Sequence, residues 1–172
     1  LGVDVAIGRA KITSPWHVEI TKDDGSKQTL STKSIVIATG AAPFVPPLPG
    51  LDDVGYLTSD TLWGLREQPK RLVVLGGGPI GCELAQSFAR LGSQVTQIEM
   101  LPRIMIREDE EVSAYARKAL EADGVTILTG HKALRCEKEG ERKFIVVEAA
   151  GATQRIEFDR LLCAVGRVAR LK

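Results

Sequence analysis

Apolar residues recur along this chain in three patterns, and each pattern predicts a different element. Unbroken apolar runs occur at Ser34-Ile35-Val36-Ile37-Ala38, Leu72-Val73-Val74-Leu75 and Leu161-Leu162-Cys163-Ala164-Val165, and they predict strands buried on both faces. Alternating segments predict half-buried strands. Within residues 5–38, Val18 and Ile20 alternate with polar neighbours, Asp23-Asp24-Gly25-Ser26 suits a hairpin turn, and 28–31 pairs back. A second meander is expected near 132–138, 143–149 and 153–158, after a strand at 125–128. Helical spacing appears twice. Residues 79–91 place Ile80, Leu84, Ser87, Phe88 and Leu91 on one face, with Gly92 as a C-terminal stop. Residues 107–123 carry acids first and bases later, as the helix dipole favours, and Gly124 ends them. Residues 41–51 hold four prolines and predict a stiff connector. Ser59 or Asp60 is placed to cap a short helix through Leu65.

The chemistry concentrates where these patterns meet. Arg71 to Glu99 reads as apolar strand, glycine turn, helix, second strand at 94–99 and terminal acid. Gly76, Gly78 and Gly81 have G-x-G-x-x-G spacing directly after the strand. The first suits a tight turn, the second a close approach of pyrophosphate to backbone, and the third close packing of helix on strand. The helix start offers unpaired N–H groups and a positive dipole end to phosphates. Glu99 lies eighteen residues past Gly81, where a carboxylate can accept both ribose hydroxyls of an adenosine. The segment is complete for one ADP-ribose unit.

The order strand, meander, buried strand, glycine occurs twice, with 32 residues from Gly8 to Gly40 and 36 from Gly130 to Gly166. Two similar intervals suggest a tandem duplication whose first copy has lost its front, and with it a second dinucleotide site. The alternative is that meanders resemble one another.

Composition narrows the classes. A net charge of +1 over 172 residues predicts neither a nucleic-acid nor a membrane-surface partner, and no apolar run is long enough to span a bilayer. The chain begins without Met or a signal-peptide pattern and ends abruptly, so a piece of a longer, cytoplasmic protein is expected. Cys82, Cys136 and Cys163 have no metal-ligand spacing. Cys82, in the first turn of the glycine-motif helix, reads as a packing residue rather than an activated thiol, and Cys163 as core. His17 and His131 read as surface or strand residues, and the acids at 108–111 as a solvated helix start. No metal site is expected.

With these residues in hand, the chain resembles the pyridine nucleotide–disulfide oxidoreductases, which include dihydrolipoamide dehydrogenase, mercuric reductase and glutathione reductase. The matching pieces are Ser34 to Pro43, Pro49-Gly50-Leu51, Thr58-Ser59-Asp60, Gly76 to Gln86, Glu99 and Ala164-Val165-Gly166-Arg167. The resemblance implies an α/β fold, a Rossmann-like NAD(P)-binding domain with parallel sheet, helices and three-stranded meander, plus the β-rich tail of an FAD-binding domain. It implies limits of 1–45 for the FAD-domain remnant, 46–69 for the connector and 70–172 for the NAD(P) domain. Gly76, Gly78, Pro79, Ile80 and Gly81 match the pyrophosphate loop. Glu83 matches an acid near the nicotinamide, or is a surface helix acid. Ala133 matches a backbone contact to adenine, and Gly166 one near the nicotinamide. Ala10, Thr39, Gly40 and Ala41 match FAD contacts.

The departures are as informative. The family's cysteine pair and its first glycine motif are absent, so the resemblance implies no catalytic residue here and an inactive piece of a homodimeric parent. That parent would pass hydride from NAD(P)H to FAD, and electrons on to a disulfide or another small acceptor. Ala169 and Arg170 replace the family's proline and asparagine after Gly-Arg, which leaves the local turn open. Glu99 should repel the 2′-phosphate of NADP(H), and Arg103 alone does not offset it, so NAD(H) is expected over NADP(H). Rival readings are an NADH oxidase-like or ferredoxin reductase-like flavoprotein without a redox disulfide, and a non-catalytic NADH-binding module.

Overall fold

A computed structural model describes residues 2–170 as two compact units, 2–39 and 40–170. Leu1, Leu171 and Lys172, which the expected domain limits include, lie outside the described residues.

The first unit is a three-stranded antiparallel meander of β1 (Arg9–Ser14), β2 (His17–Thr21) and β3 (Lys27–Ser31). The turn between β2 and β3 closes through Lys22 N–H to the Ser26 carbonyl at 2.9 Å, with Gly25 in a left-handed conformation. Ile20 is its buried side chain.

Two strands expected here do not form. Residues 5–8 are irregular, and so are 34–38, where Val36 is 87% and Ile37 66% exposed. A strand buried on both faces needs hydrogen-bonded neighbours and covering layers. Within residues 2–39 the meander is the only sheet, and neither segment pairs with it. The first meander therefore stands without the flanking strands that the second one has.

The second unit contains β4 (Ala41–Pro43), α1 (Leu51–Val54), β5 (Leu57–Thr58), β6 (Arg71–Leu75), α2 (Pro79–Arg90), β7 (Gln94–Glu99), α3 (Glu110–Ala122) and β8 (Thr126–Thr129). It continues with β9 (Lys132–Glu139), β10 (Arg142–Ala149), β11 (Ala152–Phe158), β12 (Arg160–Cys163) and β13 (Arg167–Ala169). Five strands form a parallel sheet in the order β5-β12-β6-β7-β8. Strands β9, β10 and β11 form the expected second meander, and β13 pairs antiparallel with β4.

The unbroken apolar run of β6 has a direct cause. Leu72 and Val74 point into one core with Cys82, Ala85, Val95, Leu120 and Ile127. Val73 and Leu75 point into the other, with Leu51, Cys136, Ile145, Val147 and Phe158. Helices α2 and α3 cover the first face of the sheet, and α1 with the meander covers the second.

Helix α2 turns a different stripe inward from the one expected. Gly81, Cys82 and Ala85 are its buried residues, while Ser87 is exposed and Leu91 is 68% exposed. Small residues face the sheet because the helix starts close against the glycine turn, and the larger Ile80, Leu84 and Phe88 fill its flanks half-buried. Helix α3 begins at Glu110 rather than 107. The short helix expected before Leu65 is a single 3-10 turn, Leu62–Gly64, preceded by Thr61 and without a side-chain cap. Thr61 Oγ1 instead accepts from Thr58 N–H at 2.9 Å. Within the proline connector, Ala41–Pro43 is an edge strand, where proline's missing N–H is tolerated.

Candidate functional site

In the parallel sheet, β7 and β8 lie on one side of β6 and β12 on the other. The crevice at the carboxyl end of β6 is therefore a topological switch point, the position where open α/β sheets take ligands. The glycine turn occupies it. Gly76 N–H donates to the Ile98 carbonyl at 2.8 Å, extending the β6–β7 ladder by one bond before the chain swings into α2.

Each motif glycine answers to a different constraint. Gly76 has φ of 109°, and a Cβ there would collide with the Ala164 carbonyl at the end of β12. A Cβ at Gly81 would collide with the Gly76 carbonyl, so the helix could not approach the turn. At Gly78 a Cβ would meet nothing within 4 Å. Its backbone, at φ −77° and ψ 177°, is accessible to any L-residue. Neither conformation nor packing demands glycine there, and the open space beside it is where an approaching phosphate would need room.

Helix α2 begins with Pro79 at its first position, where the ring's fixed φ suits the helix and the absent N–H costs nothing. The first helical bond runs from Cys82 N–H to the Gly78 carbonyl at 3.0 Å. Ile80 and Gly81 thus present first-turn N–H groups without intrahelical acceptors. Together with the dipole they make an end of the kind that suits an anion.

Glu99 closes β7 beside this turn, half-buried. Its Oε2 accepts from Gly77 N–H at 2.6 Å and its Oε1 from Leu101 N–H at 2.8 Å. Each oxygen keeps lone-pair capacity for a further donor, such as a hydroxyl. The Glu99 carbonyl accepts from His131 N–H at 3.0 Å, which brings the 130–133 segment, with Ala133 in β9, alongside the strand end. Glu83 is exposed on α2, one turn beyond Pro79. Arg103 points elsewhere: its Nη1 donates to the carbonyls of Glu108 at 2.8 Å and Met105 at 3.3 Å.

Gly166 follows the end of β12 with φ of 137°, and its carbonyl accepts from Phe44 N–H. The open question about Ala169 and Arg170 resolves as an edge strand, because β13 runs through Ala169 and Arg170 N–H donates to the Gly40 carbonyl. Ala41 is in β4, paired with Ala169. Thr39 is exposed and irregular, and Ala10 is exposed in β1.

Three contributors escape reading by motif. Gln97 donates to the Gly76 carbonyl, and Met105 N–H donates to the Gly77 carbonyl. The signal for Gln97 was available: a polar residue two places after Val95 falls on the side of the strand that buries Val95. Arg167 is the third. Its Nη1 donates to Ser59 Oγ at 2.7 Å and Asp60 Oδ1 at 3.0 Å, and its Nη2 to the Ala41 carbonyl at 2.6 Å. It thereby ties together the 58–60 segment, β4 and β13.

The three cysteines are free and buried. Burial pushes the thiols of Cys136 and Cys163 up to about 11 and about 12, and raises that of Cys82 against a weaker opposing hydrogen bond from Gln97. They are packing residues, not nucleophiles. Among the described residues no cluster of His, Cys, Asp and Glu is arranged to hold a metal, and no helix is long and apolar enough to cross a membrane.

Comparison with known proteins gives one consistent answer. Residues 2–172 match the family described as pyridine nucleotide-disulphide oxidoreductase. A mercuric reductase of Lysinibacillus sphaericus is 42% identical over 164 residues, covering 95% of this chain and 29% of that protein. A dihydrolipoyl dehydrogenase of Thermus scotoductus is 39% identical over 170 residues, covering 96% of this chain and 35% of that protein. Among solved structures, the HOCl-induced flavoprotein disulfide reductase RclA from Escherichia coli superposes with a TM-score of 0.76 at 30% identity. That match covers 98% of this chain and 37% of the other. The chain thus spans about a third of the length of these relatives.

Proposed function

The chain belongs to the pyridine nucleotide-disulphide oxidoreductase family, and from that premise we propose that its second unit is the NADH-holding part of a flavin-dependent oxidoreductase. The observation that carries the reading is the turn at 76–81. It sits at the sheet's switch point between the ends of β12 and β7, with the Glu99 carboxylate bonded into it.

In this reading the pyrophosphate lies over Gly78 and the first-turn N–H groups of Ile80 and Gly81, with Pro79 fixing the helix entry. Glu99 accepts the adenosine ribose hydroxyls, and Ala133 borders the adenine. Glu83 and Gly166 lie toward the nicotinamide. When bound, the nicotinamide supplies hydride and a flavin accepts it, and the protein's part is to hold the two against each other. Ala10, Thr39, Gly40 and Ala41 would contribute contacts to FAD. Ala10, Thr39 and Gly40 are exposed and Ala41 half-buried, so these contacts would be only part of a flavin site. The chain then carries no catalytic residue and is inactive by itself. In the whole protein, electrons pass on to a disulfide or another small acceptor.

NADH is preferred over NADPH on electrostatic grounds. A 2′-phosphate would meet the Glu99 carboxylate directly. Arg103, the nearest cation along the chain, has its guanidinium committed to two loop carbonyls. Replacing Glu99→Gln keeps an acceptor for Gly77 N–H and removes the charge. NADPH affinity should then rise about tenfold, or ~1.4 kcal/mol, relative to NADH in fluorescence titrations. An unchanged ratio would remove Glu99 from the specificity assignment.

A further inference from the structure

Gln97 is fully buried in β7, and its Oε1 is a buried side-chain atom with no hydrogen-bond partner among the described residues. Its Nε2 donates to the Gly76 carbonyl at 3.0 Å and lies 3.5 Å from Cys82 Sγ, whose thiol points at the Gly77 carbonyl, also at 3.5 Å. Met105 N–H donates to that same Gly77 carbonyl at 2.7 Å. Met105 has φ of 53°, a left-handed conformation unfavourable for its side chain. The loop is held in that shape by Ser113 Oγ on the Ile104 carbonyl and by Arg103 on the carbonyls of 105 and 108.

An amide oxygen left unpaired in the core and a left-handed methionine each cost stability. Both converge on the two carbonyls of one turn. Val95, on the same side of β7, is apolar, so the core does not demand a polar group there. Local violations of this kind are expected where function has overridden stability. With Gly77 N–H also bound by Glu99, the peptide planes of the turn are set before any ligand arrives.

We propose that Gln97 is a positioning residue for the anion-binding turn, holding the Gly76 carbonyl from beneath so that the turn is preorganised for a pyrophosphate. The proposal rests on the reading of 76–99 as a dinucleotide site. The ionisable groups beside Gln97 are the Cys82 thiol, which burial raises, and Glu99 across Gly77.

The test uses the full chain, ADP-ribose as probe, calorimetry, and melting temperatures measured in parallel. Gln97→Met should melt no lower than wild type and bind ADP-ribose about tenfold more weakly. Gln97→Glu should bind weakly while its carboxylate is ionised against the Gly76 carbonyl. It should recover relative to wild type as pH falls and the carboxyl O–H donates in place of the amide. Wild-type affinity in both variants overturns the proposal. So does a loss that merely follows the melting temperature, with no recovery in Gln97→Glu. If folded wild type does not bind ADP-ribose, the dinucleotide reading itself fails and the proposal falls with it.

Discussion

A methyl group added at Gly78 would project into open space, whereas one at Gly81 would run into the Gly76 carbonyl. The two glycines of the same motif should therefore separate binding from stability. Gly81→Ala forces helix and turn apart and should lower stability by about 1–3 kcal/mol, as other overpacked sites do. Gly78→Ala should leave the melting temperature unchanged and weaken NADH binding about tenfold, because the methyl occupies the phosphate's approach. Thermal melts and NADH titrations of the two variants check this directly, and equal loss of binding and stability in both would refute the division. At this scale the motif glycines and Glu99 were legible, because each has a fixed spacing tied to a physical requirement. Met105 and Arg167 were not, and of Gln97 only its place on the buried side of β7 was, not its partner. Their roles depend on loops and strands far apart in sequence, such as the 108 residues between Ser59 and Arg167.

Elements were legible where the chain itself contains what the element packs against. The unbroken run 72–75 becomes a central strand because β12 and β7 flank it and helices and meander cover its faces. The equally apolar 34–38 stays irregular because residues 2–39 offer it no such surroundings. The second meander is tied to the sheet by charge as well as by its apolar face. Arg71, at the start of β6, pairs with Glu157 at 3.0 Å and Asp159 at 2.7 Å, and Arg142 of β10 also reaches Glu157 at 3.0 Å. The Arg142 and Arg71 guanidiniums hold the Glu157 carboxyl at about 2, below its ordinary 4.5. A lowered carboxylate pKa contributes stability above the ordinary value, and that contribution is lost as pH falls from about 4.5 toward about 2. The melting temperature of wild type should therefore exceed that of Glu157→Gln at neutral pH, and the two should converge across that window. A gap that persists at pH about 2 would mean the ion pairs are not its source.

For the molecule as a whole, residues 40–170 hold a parallel sheet with two covering helices and a meander, while residues 2–39 make one meander. The strand–helix–strand order at 71–99 was legible from the hydrophobic periods, and the fold class from the family resemblance. The extent of order in the first unit was not, since burial depends on neighbours that periodicity does not reveal. The chain belongs to the pyridine nucleotide-disulphide oxidoreductase family and spans 26–35% of these curated relatives' length, and the proposal drawn for it is a site for one nucleotide. Calorimetric titration of the folded chain with NADH, with NADPH as competitor, addresses that conclusion most directly. One saturable site per chain, preferring NADH and lost in Gly78→Ala, is the predicted result; a folded chain that takes up neither nucleotide would contradict it.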